Sequence, residues 1–168
     1  MKKIMLLAIT LLTIYATSAF ADTKIGVINM QDLLQKLPQM KQIGDDLKNQ
    51  FGSRQKQLVN AQTSFKGEAE KFRRDNAVLS DKDKQATEDK LFKEQQNIQK
   101  MQMDLQKDYM AAQNKEIDAL MSQIKDVVDK VAADGKFDLI LINASVAYAK
   151  KDLDLTNQVL QKIIGGGK

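Results

Sequence analysis

The sequence predicts an α+β protein: a small β-sheet body carrying a long, protruding, antiparallel helical hairpin of coiled-coil type. Three observations predict it. Residues 39–134 contain no proline and are rich in Lys, Gln, Glu, Ala, Leu and Met, all strong helix formers. Within that stretch apolar residues recur seven apart, at Phe51, Leu58, Phe65, Phe72 and Leu79, and again at Leu91, Ile98 and Leu105. Seven residues make two helical turns, so each row is a stripe along one helix face. The β-like segments lie at the two ends of the stretch, at residues 24–30 and 137–142.

The chain begins with the pattern of a secretory leader. Lys2 and Lys3 precede an apolar run over residues 4–16, and Ala19-Phe20-Ala21 is a small-x-small cleavage site. The run is too short to span a membrane comfortably, so cleavage after Ala21 is expected. Residues 1–21 are then a signal peptide that sends the mature chain across the inner membrane. Its removal takes Lys2 and Lys3 with it and lowers the formal net charge from +4 to +2. The remaining charges alternate in sign along the helices, which marks solvated faces.

Cysteine and histidine are both absent. That excludes disulfides, Cys/His metal sites, thiol nucleophiles and His-based triads. The acids are scattered along helices, and no glycine-rich loop joins a strand to a helix. No catalytic residue, metal or cofactor is expected.

Taken in order, residues 24–30 read as a strand. Asn29, with Asp32 three residues on, caps a short helix through Leu33, Leu34 and Leu37. Pro38 either separates that helix from the arm or opens the arm's first turn. The arm turns once. Ser80 followed by Asp83 resembles a capping box, so the first helix ends near Leu79 and the second begins near Asp81. At ~1.5 Å per residue the two arms reach on the order of 60 and 80 Å.

The seam between the arms is thin. Three residues beyond Phe51, Phe65 and Phe72 stand Arg54, Glu68 and Asp75, where a self-sufficient coiled coil wants apolar residues. Near the base, Ile117, Leu120, Ile124, Val127 and Val131 restore the three-four alternation. The outer arms are therefore expected to open more easily than the base.

Asp134-Gly135 is expected to stop the second helix, with Gly135 left-handed. Residues 137–142 predict a strand apolar on nearly both faces and hence buried. Asn143-Ala144 is expected to turn into a second short strand at residues 145–149. Residues 152–156 cap a final helix bearing Leu155, Val159, Leu160, Ile163 and Ile164, and residues 165–168 read as a flexible tail. The body thus comprises residues 22–38 and 135–164, and the arm residues 39–134. A body of about fifty residues is marginal alone, which points to self-association with Val27, Leu139, Ile140 and Leu141 in the sheet or between subunits.

These residues resemble the Skp/OmpH family of periplasmic chaperones across essentially the whole mature chain. The resemblance rests on the opening Lys24-Ile25-Gly26-Val27-Ile28-Asn29-Met30 and the charged helical middle. It continues through Phe137-Asp138-Leu139-Ile140-Leu141, Val146-Ala147-Tyr148 and Asp152-Leu153-Asp154-Leu155-Thr156 before Val159-Leu160. It implies a homotrimer whose sheets associate and whose hairpins surround a cavity. It further implies a periplasmic holdase that keeps unfolded outer-membrane proteins from aggregating, without ATP, before they insert.

Candidate client contacts are Phe65, Phe72, Leu91, Phe92, Met101, Met103 and Met110, because flexible Met and Phe adapt to clients of many shapes. Met101 and Met103 point some 200° apart, so one of them is expected outside the seam. Lys71, Arg73 and Arg74 are the densest basic group near the tip and the candidate electrostatic contact. The resemblance also raises contact with lipopolysaccharide or an anionic membrane surface. That support is weak, since the mature charge is only +2 and Glu70 and Asp75 flank the basic group. The competing reading is a structural coiled-coil adaptor that binds one defined envelope partner. Nucleic acid is not an expected partner, given export and mixed charge.

Overall fold

The computed structural model describes residues 23–166. The leader read at residues 1–21, and the final residues 167–168 of the expected tail, lie outside the described residues.

Strand β1 (Ile25–Ile28) pairs in parallel with β2 (Leu139–Ile142), in the register Ile25 to Leu139 through Ile28 to Ile142. Everything between them forms the crossover: α1 (Met30–Lys36), α2 (Pro38–Asp75), a 3-10 turn (Asn76–Val78) and α3 (Asp81–Gly135). After β2 come two further 3-10 turns, Asn143–Ser145 and Lys151–Leu153, and then α4 (Thr156–Gly165).

Local chemistry fixes the boundaries. Asn29 Oδ1 accepts a hydrogen bond from the Asp32 amide at 3.1 Å and so caps α1. Pro38 occupies the first turn of α2, where its missing N–H costs nothing. Ser80 Oγ accepts from the Asp83 amide at 3.2 Å, and Asp81 and Asp83 place negative charge on the positive end of α3. The hairpin therefore turns where the sequence indicated. Helix α2 closes at Asp75, and a 3-10 turn covers the remaining distance to Ser80.

The body core gathers residues distant in sequence. Ile28, Leu33, Leu37, Leu120, Ile124 and Val131 are buried together with Leu155, Val159, Leu160 and Ile163 of the C-terminal segment. Two hydrogen bonds tie that segment to the start of the chain. The Leu155 amide donates to the Val27 carbonyl at 2.8 Å, and the Asn29 amide donates to Thr156 Oγ1 at 2.8 Å. Asp154 Oδ1 in turn accepts from the Thr156 amide at 2.8 Å. Gly26 permits this docking: a β-carbon there would lie 2.2 Å from Leu155 Cδ1.

Four expectations for the C-terminal half require correction. The left-handed residue is Lys136, at φ 52°, and Gly135 remains helical. Gly135 is needed for a different reason, because a β-carbon there would meet the Phe137 ring at 2.4 Å. The Phe137 ring is held by Lys24, whose ammonium lies 4.3 Å from the ring centroid and donates to the Gly135 carbonyl. Second, β2 is not buried: Leu139 and Ile142 are 45% and 47% exposed. Its only strand partner is β1, so among the described residues no strand pairs with its outer edge. Third, residues 145–149 form no strand. The chain leaves β2 through the Asn143–Ser145 3-10 turn, which carries it out of the extended conformation that pairing with the sheet requires. Fourth, the helix continues through Gly165, and Gly166 closes it by donating to the Lys162 carbonyl at 3.0 Å.

Candidate functional site

The arms present the largest surface that the body core does not use. α2 spans 38 residues and α3 spans 55, so at ~1.5 Å rise they extend about 57 and 83 Å. The extra length of α3 carries Leu120, Ile124 and Val131 into the body core. Beyond the base, the arms share a second, smaller core of Leu47, Phe51, Leu58 and Leu105, with Ile98, Met101 and Ala112 against it. Phe51 and Tyr109 meet edge to face, and Arg54 pairs with Asp108 at 2.8 Å across the arms.

Further out no residue is fully buried. Between Leu58 and Leu105, Phe65, Phe72, Leu79, Leu91 and Ile98 are each half-buried. Their polar neighbours at the second seam position leave the stripe one residue wide. Lys90 bridges the arms there through Glu68, and its ammonium is held above the ordinary lysine pKa chiefly by that hydrogen bond. Lys125, near the base, is raised in the same direction by Asp129.

The candidate contact residues separate into two sets. Phe65, Phe72, Leu91 and Met101 lie half-buried in or beside the seam, whereas Phe92, Met103 and Met110 project outward, with exposures of 61%, 64% and 52%. Of the methionine pair, Met101 packs against the arm core and Met103 is exposed. Met103 and Met110 share a seven-residue row with the buried Ile124 and Val131, yet stand outside the seam. A seven-residue repeat slips by ~20° per heptad around a straight helix, so a row that long cannot face one partner throughout.

Lys71, Arg73 and Arg74 are all exposed near the tip. Lys71 joins Phe72, Asp75, Leu79 and Lys90 around a recess of about 480 Å³. Arg73 and Arg74 do not line it, so the three cations do not converge on one point. A larger apolar groove of about 600 Å³ runs beside the arm core, lined by Leu47, Phe51, Leu58, Leu105, Tyr109 and Met110. Tyr109 and Val59 are further exposed apolar side chains on the arms that the sequence reading did not single out. Tyr109 was recoverable: it lies as far after Ser80 as Phe51 lies before it, and a hairpin turning at Ser80 brings the two together.

In the body, Val27 is buried and Ile140 packs against the core, while Leu139 is exposed and Leu141 half-buried. Tyr148, in the segment after β2, is 81% exposed. Among the described residues no cluster of acids suits a metal ion, and no helix is long and apolar enough to cross a membrane.

A model of the family described as outer membrane protein (OmpH-like) matches residues 24–163. The chaperone protein Skp of Yersinia enterocolitica is 26% identical over 163 residues, covering 97% of this chain and 99% of the relative. The chaperone protein Skp of Salmonella typhimurium is 30% identical over 148 residues, covering 88% and 90%. The solved structure of an OmpH-like protein of Caulobacter crescentus superposes with a TM-score of 0.76 at 14% identity, covering 86% of this chain and 85% of that one. At that identity the likeness is one of fold.

Proposed function

Because this chain belongs to the OmpH-like outer membrane protein family, we propose that it is a periplasmic chaperone that holds unfolded outer-membrane proteins without ATP. The observation that carries the reading is the outer arm: Phe92, Met103 and Met110 stand exposed on long helices whose seam holds no fully buried residue between Leu58 and Leu105. An unfolded membrane barrel exposes apolar side chains and unpaired strand edges that aggregate. Scattered, flexible apolar contacts cover such surface without demanding one client shape. Long-range attraction to acidic clients is supplied by the lysines of a mature chain of net charge +2.

Holding in this way uses three copies. The outer edge of β2, with Leu139 and Ile142 exposed, supports assembly of the bodies into a homotrimer that places three hairpins around a common space. The leader read at residues 1–21, cleaved after Ala21, delivers the chain to the periplasm. Sedimentation of the mature chain with and without a urea-unfolded barrel protein tests the reading. A trimer that shifts to a larger, defined complex is the expected result. Selective binding of one folded envelope protein would replace the reading with that of an adaptor.

A further inference from the structure

The side of α3 away from the seam carries a pattern that the seam does not explain, and at its body end Gln106 and Met110 come round to line the groove shared with α2. Met103 is two residues from Leu105 and from Met101, which pack toward α2, so it points to the opposite side of the helix. From Phe92 the steps of three or four residues along that side run through Gln96, Gln99, Met103, Gln106 and Met110. All six are exposed, none is charged, and they cover about 27 Å of helix axis. Neighbours at these spacings are adjacent on a helix surface, so this is one continuous stripe of apolar and amide groups.

A line of cations borders it. Lys93, Lys100 and Lys107 are seven apart and exposed. Lys100 lies three residues before Met103 and Lys107 four after it, so the lysines flank the stripe on one side. None of the three forms an ion pair among the described residues. Asp104, between them in sequence, approaches neither within ion-pair distance. This contrasts with Lys90 and Lys125, whose ammonium groups are spent on Glu68 and Asp129.

We infer that this stripe, with its lysine border, is a binding track for an extended, unfolded polypeptide whose apolar side chains alternate with carboxylates. The inference rests on the chaperone reading and assigns the arm face on which the client lies. Charge complementarity selects an acidic occupant. The glutamines select a polypeptide, because each amide offers both a donor and an acceptor to unpaired backbone groups. The apolar part amounts to three side chains, well short of the roughly 800 Å² per partner of a stable interface, so neither a second copy nor a tight folded partner is matched. Weak contact repeated along 27 Å suits a client that must later be released.

The chain contains no tryptophan, so the tryptophan fluorescence of an unfolded acidic barrel protein reports binding without background. Three variants of the mature protein are titrated: Lys93, Lys100 and Lys107 each to Gln; Phe92, Met103 and Met110 each to Ser; and Lys71, Arg73 and Arg74 each to Gln. The lysine-border variant is expected to bind about tenfold more weakly at 0.02 M salt and within about twofold of wild type at 0.5 M. The apolar variant is expected to lose affinity by a similar factor at both salts, since apolar contact survives screening. The tip variant is expected to lose less than the border variant. All the altered side chains are exposed, and unchanged circular dichroism melting separates binding loss from unfolding. If wild type binds and both the border and apolar variants match it, the track is wrong while the chaperone reading stands. If wild type binds no unfolded barrel protein, both fall. Phosphatidylglycerol vesicles are the second probe: lysine-border-dependent binding to vesicles without such binding to the unfolded protein would assign the face to a membrane surface and overturn the inference.

Discussion

Phe51 and Tyr109 meet across the two arms with ring centroids 5.4 Å apart and planes inclined at 65°. Each sits equally far from Ser80 in sequence, so the pair reports the register of the entire hairpin. Phe51 is 6% exposed, whereas the neighbouring Arg54–Asp108 pair is open to water on both side chains. The two contacts should therefore differ in weight. Phe51→Ala is expected to destabilise the arm by about 3 kcal/mol, and Arg54→Ala by about 0.5 kcal/mol. Urea denaturation monitored by circular dichroism checks both, and equal effects would show that the ion pair contributes as much as the buried ring.

The glycines predict changes of opposite sign. A β-carbon at Gly26 would collide with the buried Leu155, whereas one at Gly52 would meet nothing within 4 Å. Gly26→Ala should cost about 2 kcal/mol through overpacking. Gly52→Ala, in an exposed stretch of helix, should stabilise by about 1 kcal/mol. Chemical denaturation of the two variants measures the difference.

Much of this fold was legible because helices announce themselves locally. The Ser80 cap, Asn29 cap and Pro38 start each depend on side chains within a few residues, and all three occur as the sequence indicated. The body was harder, because its contacts join residues more than a hundred positions apart. At the corner where Lys136 rather than Gly135 is left-handed, the Phe137 ring that packs over Gly135 is held by Lys24, more than a hundred positions away. The exposure of Leu139 and Ile142 was hidden for a similar reason: an apolar strand reads as buried, and the sequence does not say how many strands will cover it. On the arms, heptad spacing placed Phe65 and Phe72 beside the seam but did not separate Met103 from Ile124, because the row drifts around the helix.

Opening should follow burial along the hairpin. The amides of residues 76–85 lie at a tip without a buried residue, and those of residues 124–131 lie in the body core. Hydrogen exchange is expected to be fastest among the helical residues at the tip and slowest around Ile124 and Val131. Uniform protection would mean that the thin seam holds as firmly as the base.

Assembly through the sheet edge predicts that Ile142→Asp breaks the trimer and leaves the subunit folded. Ile142 is 47% exposed in the single chain, so the charge is tolerated there, but it becomes costly once another subunit covers it. Sedimentation velocity should show a folded monomer for the variant at concentrations where wild type is trimeric. A trimeric variant would place the interface elsewhere.

The central claim is passive holding, and dilution of a urea-unfolded outer-membrane barrel protein into buffer without nucleotide tests it most directly. Light scattering follows the aggregation. With the mature chain present as trimer in slight excess, scattering is expected to stay near baseline, and it should rise again when Phe92, Met103 and Met110 are all replaced by Ser. Unchanged aggregation in the presence of the wild-type chain, or suppression only after ATP is added, would contradict the account.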